Sequence, residues 1–302
     1  MEDSSVKYAA AAELCRVARS EYRAYCQRTQ SADYEDTAYS DLSEALFRQF
    51  GPTGVWDPRL AKSLSFQAHL YLGMAEQHMH GLQTLLEGVV PGLPLGPAAR
   101  SVAEASGRAV WLLDNRLGLE RGDARRRVAR LLLDREEGER IRKRVAYDFD
   151  HPQKAETSLS YILARDAIRR PGCFYASEID IDPRTGIVTL CGERLPGPSG
   201  FVRIAGEIFG DDPGETAGLY GYVSAMTHPT VFAFVETMSD LSSLPEGWTE
   251  IPWNLDGEFA TKLASNAVRS FYNAWRAWIG WTNTGMDEAF VVHNAHVALN
   301  NS

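Results

Sequence analysis

RLAKSLSFQAHLYLGMAEQHMHGLQTLLE, residues 59–87, decides the class of fold. Leu64, Ala68, Tyr71, Leu72, Ala75, Met79, Leu82 and Leu86 recur every three or four residues, which is the period of a heavily buried helix. Gly88 and the run Val89-Val90-Pro91-Gly92-Leu93-Pro94-Leu95-Gly96-Pro97 end it, because prolines remove backbone donors and lock φ. Pro97 then suits the first turn of another helix, running to about Leu113.

The same period extends outward in both directions. Residues 6–30 are alanine-rich with charges on one side, and Asp41 to Phe50 makes a short helix before Gly51-Pro52. Asp123 reads as the N-cap of a helix reaching about Phe149. Lys154 to Arg170, Phe201 to Phe209, Glu215 to Thr227, Glu258 to Trp281 and Met286 to about Leu299 also read as helices, and 242–257 as a long loop. Only Ser177-Glu178-Ile179-Asp180-Ile181-Asp182, the turn Pro183-Arg184-Thr185-Gly186 and Ile187-Val188-Thr189-Leu190 alternate like strands. The expected fold is therefore mainly α, a multi-helix bundle with a small β-hairpin inserted near 177–192. Its organisation reads as N-terminal helices over 1–58 followed by the bundle over 59–302.

Composition narrows the function classes. The chain has 302 residues, 44% of them hydrophobic, and a net charge of −9. Such a chain is no nucleic-acid coat, and it is long enough to bury a core without metal or disulfide staples. No apolar run approaches the roughly 18 residues that a membrane span needs. The N-terminus Met1-Glu2-Asp3-Ser4-Ser5 is unlike a signal or transit peptide, so a cytoplasmic protein with no membrane partner is expected. Cys15, Cys26, Cys173 and Cys191 contain no C-x-x-C pair, which points to reduced thiols rather than a zinc or redox site. Nucleotide-binding glycine loops, H-E-x-x-H and G-x-S-x-G are all missing, so no cofactor is implied.

Four features can carry chemistry. On the 59–87 helix, His69, Glu76, His80, Gln83 and Glu87 fall within about 40° of one direction at 100° per residue. That stripe reads as a solvated face, as a polar site inside the bundle, or as a metal site through the Glu76–His80 pair. A metal would need a matching carboxylate–histidine helix, and Glu288, His293 and His296 do not reproduce that spacing, so none is expected. On the next helix Arg100, Glu104 and Arg108 recur every four residues among small apolar neighbours, as an internal salt bridge or a ligand-facing line. His228 closes Leu219-Tyr220-Gly221-Tyr222-Val223-Ser224-Ala225-Met226-Thr227-His228-Pro229. It suits either a helix cap or a general acid or base at a helix break. Residues 116–144 hold eleven cationic and six acidic residues, so this segment is basic on an acidic chain. It can grip phosphates, pair with the protein's own acids, or meet a second subunit.

Together, His69 to Leu86, Arg100-Ser101-Val102-Ala103-Glu104 with Ala109-Val110-Trp111-Leu112-Leu113-Asp114, the Arg121/Arg125 helix and Tyr222 to Pro229 resemble a family. It is an uncharacterised, mostly actinobacterial group of helical proteins that look like relatives of the HEPN bundles. Many HEPN proteins are ribonucleases of toxin and phage-defence systems, so the resemblance implies RNA or a nucleotide as substrate. The HEPN ribonuclease motif places an Arg and a His with four to six residues between them. At those spacings His228 has Val223, Tyr222 and Gly221, so the motif is not intact.

Three functions follow as expectations. In the first, Arg100, Glu104 and His228, with His80, form a polar site in which Arg100 holds an anionic group and His228 moves a proton. RNA or a nucleotide would then also contact the basic 116–144 helix. In the second, the bundle interior takes a small molecule between Trp275, Trp278, Trp281, Tyr220 and Tyr222. In the third, the chain is a non-catalytic module that forms a homodimer through the Trp-rich 258–281 helix.

Overall fold

The computed structural model describes residues 2–29, 59–88, 94–118, 121–169, 174–212 and 257–282, together with 214, 218, 220, 221 and 224. Among them the chain is mainly helical. The helices are α1 (Glu2–Thr29), α2 (Arg59–Glu87), α3 (Leu95–Leu113), α4 (Arg121–Asp148), α5 (Lys154–Arg169), α6 (Pro198–Phe209) and α7 (Gly257–Thr282). The expected helices at 41–50 and 286–299, the ends of the one at 215–227, the 242–257 loop and Cys173 lie outside the described residues. Among the described residues, no helix is long and apolar enough to cross a membrane.

Two compact units divide the chain. One comprises Met1–Asp33, Ala68–Trp111 and Pro198–Ser302, and the other Tyr34–Gln67 and Leu112–Gly197. α1 thus shares a unit with 68–111 and 198–302. The physical reason is an aromatic seam between α1 and α7. Tyr22 meets Phe271 edge-on at 5.1 Å and Trp275 at 5.7 Å, and Tyr25 meets Trp275 at 5.5 Å. Trp275 and Trp281 are each 1% exposed. Trp275 therefore packs onto α1, while Trp278 lies against the His69 ring of α2 at 5.3 Å.

In the second unit α4 packs along α5 and against a three-stranded antiparallel sheet, ordered β1 (Ile179–Ile181), β2 (Val188–Leu190) and β3 (Glu193–Arg194). Ile179 faces Leu190 and Ile181 faces Val188, while Leu190 also faces Glu193. The expected hairpin is present, and β3 is an addition to it. The chain returns into the sheet because Cys191 (φ 51°) and Gly192 (φ 75°) both adopt left-handed backbone. Two such residues make the tight turn whose twist matches paired strands. Cys-Gly is a weak signal for that turn, so β3 was hidden in the sequence.

Helix ends follow backbone chemistry. α3 begins at Leu95, before Pro97, since the first turn of a helix has no use for its N–H groups. α6 likewise begins at Pro198 rather than Phe201. Asp123 does not cap α4 from outside. It sits in the first turn, accepts the Gly118 N–H at 2.8 Å and places negative charge at the positive end of the helix dipole.

At Gly107 the backbones of α3 and α6 approach closely. A Cβ there would lie 2.8 Å from the carbonyl carbon of Phe201 and 2.9 Å from its oxygen. Trp111, one turn further on, meets the Phe201 ring edge-on at 5.4 Å. Gly107→Ala should cost about 1–3 kcal/mol through overpacking. Urea unfolding followed by circular dichroism reads this directly, and an unchanged midpoint would refute so tight a contact.

Candidate functional site

The charged line expected on α3 exists, and it is closed by a tyrosine. Arg100 Nε donates to Glu104 Oε1 at 2.6 Å across one helical turn. The Tyr220 hydroxyl donates to the same carboxylate oxygen, and the Arg100 guanidinium lies 5.7 Å from the centre of the Tyr220 ring. Burial pushes the Tyr220 hydroxyl well above its ordinary range, and its hydrogen bond to Glu104 adds to that. The pairing with Glu104 also raises the Arg100 pKa. Arg108, the third member of the line, turns instead to Tyr71, donating to its hydroxyl at 3.2 Å, and lies 4.7 Å from the centre of the Phe201 ring. This arrangement ties residue 220 to α3. It leaves the Arg100 guanidinium paired with the Glu104 carboxylate one turn away.

His228 lies outside the described residues, so the expected Arg100–Glu104–His228 cluster is represented by its first two members. His80 is exposed on α2. The stripe that contains it is split. Glu76 and Gln83 are 4% and 8% exposed, while His69, His80 and Glu87 are exposed. Arg19 of α1 makes the difference. It donates from Nε to Glu76 Oε1 at 2.9 Å and from Nη1 to Gln83 Oε1 at 2.5 Å. Gln83 passes the chain of hydrogen bonds to Glu87 at 2.7 Å, and Arg23 adds a second cation to Glu76 at 2.8 Å. The Glu76 carboxylate therefore faces two guanidinium groups, a setting hostile to a metal cation. No group of three or more metal-ligating side chains occurs among the described residues. Sequence reasoning passed over Arg19. The available signal was an arginine between Cys15, Ala18 and Tyr22, all on the apolar side of α1.

The basic segment is resolved most sharply. Arg125, Arg127 and Arg130 are 6%, 3% and 4% exposed. Arg130 bridges two carboxylates, donating to Asp114 Oδ2 at 2.9 Å and to Glu193 Oε2 at 2.8 Å. Arg126 reaches the same Glu193 at 2.5 Å, and Arg125 pairs with Glu178 beside the Tyr175 ring. Arg127 donates to the main-chain oxygens of Leu113, Asp114 and Leu117, which the end of α3 leaves without helical partners. Burial lowers the Arg127 pKa to about 10, the nearby Asp114 charge opposing it. Burial alone would raise Asp114, but hydrogen bonds from Arg116 and Arg130 outweigh it and hold the carboxyl below its ordinary value. Arg125, Arg126 and Arg127 are thus engaged with the protein's own acids and carbonyls.

Two hollows lie among the described helices. A groove of about 460 Å³ runs between α1 and α7 over Ala10, Ala11 and Leu14, with the Lys7–Glu258 pair on its rim. A notch of about 240 Å³ lies between α4 and α5. In comparisons with family models, curated proteins and solved structures, nothing matches this chain.

Arg130→Met leaves the buried Asp114 to Arg116 and the buried Glu193 to Arg126, and should destabilise the protein by about 1–3 kcal/mol in denaturant unfolding. A loss of only about 0–1 kcal/mol, that of an exposed pair, would refute the bridge. Asp114 predicts the pH dependence. Its folded pKa is depressed, so its stabilisation is fully present above the ordinary aspartate range and is lost as pH falls through the folded value. Unfolding midpoints measured from neutral to acid pH should decline on the acid side, less so in Asp114→Asn. Tyr220→Phe should cost about 1 kcal/mol, the net value of one hydrogen bond. An unchanged melting temperature would show the tether to be idle.

Proposed function

We propose that this chain is a cytoplasmic, HEPN-like helical interaction protein that works by association rather than by catalysis. One observation carries the reading. On α4 and α5, and just past the end of α4, Ile141, Val145, Tyr147, Phe149, Leu159, Ile162 and Leu163 are 46–79% exposed. So many large apolar side chains on one helical hairpin mark a surface that another macromolecule covers. The groups suited to chemistry support the same reading from the other side. Arg100 is held by Glu104, Glu76 by Arg19, and Arg130 by Asp114 and Glu193.

A second reading keeps RNA or a nucleotide as the ligand, in a toxin or defence setting. It is favoured by Arg135, Arg140, Arg142 and Arg144, which are exposed on the distal half of α4. Against it, Arg140 pairs with Glu137 at 2.7 Å, and Arg142 and Arg144 lie 3.7 and 3.5 Å from Glu139 and Asp148. Filter binding of single- and double-stranded RNA between about 50 and 200 mM salt separates the two. The interaction reading expects weak binding that vanishes at the upper salt and is indifferent to sequence. Micromolar binding that persists there, and is lost when Arg140, Arg142, Lys143 and Arg144 become Gln, would overturn it.

A further inference from the structure

The seam between α4 and α5 is charged where a packed pair of helices is ordinarily apolar. Val128, Leu132, Arg135, Glu139, Arg142 and Ala146 follow one another at alternating steps of four and three residues, the spacing that faces a neighbouring helix. Val128, Leu132 and Ala146 are buried. Arg135 and Glu139 fall between them on the same line. Opposite them α5 places Ser160, Ala164 and Ala167, whose side chains are too short to close the space. The result is the notch of about 240 Å³, walled on its apolar side by Leu132, Leu163 and the two alanines.

The polar groups of the notch are left for something else to satisfy. Arg135 and Glu139 stand one helical turn apart, yet they do not pair. Arg135 is exposed and makes no ion pair or hydrogen bond with the described residues. Glu139 Oε2 is buried and accepts no hydrogen bond, and Arg142 Nη1 stands 3.7 Å from it, beyond hydrogen-bond reach. The Ser160 hydroxyl, half-buried on the facing helix, has no partner among the described residues either. A buried carboxylate oxygen without a donor is costly, so a ligand that supplies one there is favoured.

We propose that this notch binds a free aliphatic α-amino acid, a site additional to the apolar surface that carries the association. One cation, one carboxylate oxygen in want of a donor and an apolar wall are the complement of a small zwitterion. The ligand carboxylate meets the Arg135 guanidinium, whose fork suits it. The ligand ammonium donates to Glu139 Oε2 and to the Ser160 hydroxyl, and the aliphatic side chain lies against Leu132, Leu163, Ala164 and Ala167. Arg135 and Glu139 are about 6 Å apart along the helix axis, a separation that two long side chains close onto one molecule. A simple anion would meet the Glu139 carboxylate and a simple cation the Arg135 guanidinium, so neither suits the notch as well. Size agrees, since the volume lies below the roughly 300–1,000 Å³ of sites for larger ligands.

Isothermal titration calorimetry of the full chain with L-alanine, L-valine and L-leucine tests this. Saturable binding of at least one is expected. Its deaminated and decarboxylated analogues (isocaproate and isoamylamine in the case of leucine) should each bind at least about 10-fold more weakly, because each loses one charge-assisted contact. Arg135→Gln and Glu139→Gln should weaken binding by a similar factor with the far-UV circular dichroism unchanged. If either variant loses helical signal, Ala164→Leu replaces it, filling the notch from α5 and abolishing binding. No saturable heat from any of the three up to about 10 mM overturns the proposal. So does an analogue with one charge that binds as tightly as the amino acid, or binding indifferent to the substitutions.

Discussion

Arg130 lies between Asp114 and Glu193 with all three side chains buried, and the second unit is organised around that contact. One guanidinium joins the turn after α3 to the body of α4 and to the last strand of the sheet. An ionised group removed from water is tolerated only when every donor and acceptor is met, because desolvation costs several kcal/mol per ion. The neighbours meet that demand. Arg116 covers the outer side of Asp114, Arg126 shares Glu193, and Arg127 takes the carbonyls at the end of α3. A three-stranded sheet with strands of two or three residues has little stability by itself. Here it is held to α4 by Arg125, Arg126 and Arg130.

The first unit solves the equivalent problem with aromatic packing and one buried cation. Tyr22, Tyr25, Phe271 and Trp275 fill the seam between α1 and α7. Arg19 then fastens α1 to Glu76 and Gln83 of α2. Arg100, Glu104 and Tyr220 do the same for residue 220 and α3. In each case a charge that looks chemically available in the sequence is used to fix one element against another.

Beyond Asp134, α4 changes character. Its first half is enclosed by the sheet and the α3 turn, while among the described residues its second half packs along α5 and exposes Ile141, Val145 and Tyr147. The charges along this stretch, paired at three or four residues, support the helix.

The sequence by itself determined the mainly helical class. The period of 59–87 and the proline-glycine interruptions are local properties, and α2 and α5 begin where that period begins. It also located the one β region, because alternation and turn residues are local too. It placed Arg100 and Glu104 together, since four residues on a helix is a fixed spacing. Only the tertiary structure decided which charges are buried. Arg19 and Glu76 are 57 residues apart, and Arg130 and Glu193 are 63 apart. No periodicity links such distant positions. Helical angles alone put His80 and Glu76 on one stripe, yet Arg19 reaches over Glu76 and leaves His80 in water. The basic character of 116–144 was legible as composition. Its consumption by Glu178, Glu193 and Asp114 was not, because a residue's solvent exposure depends on what the rest of the chain lays against it.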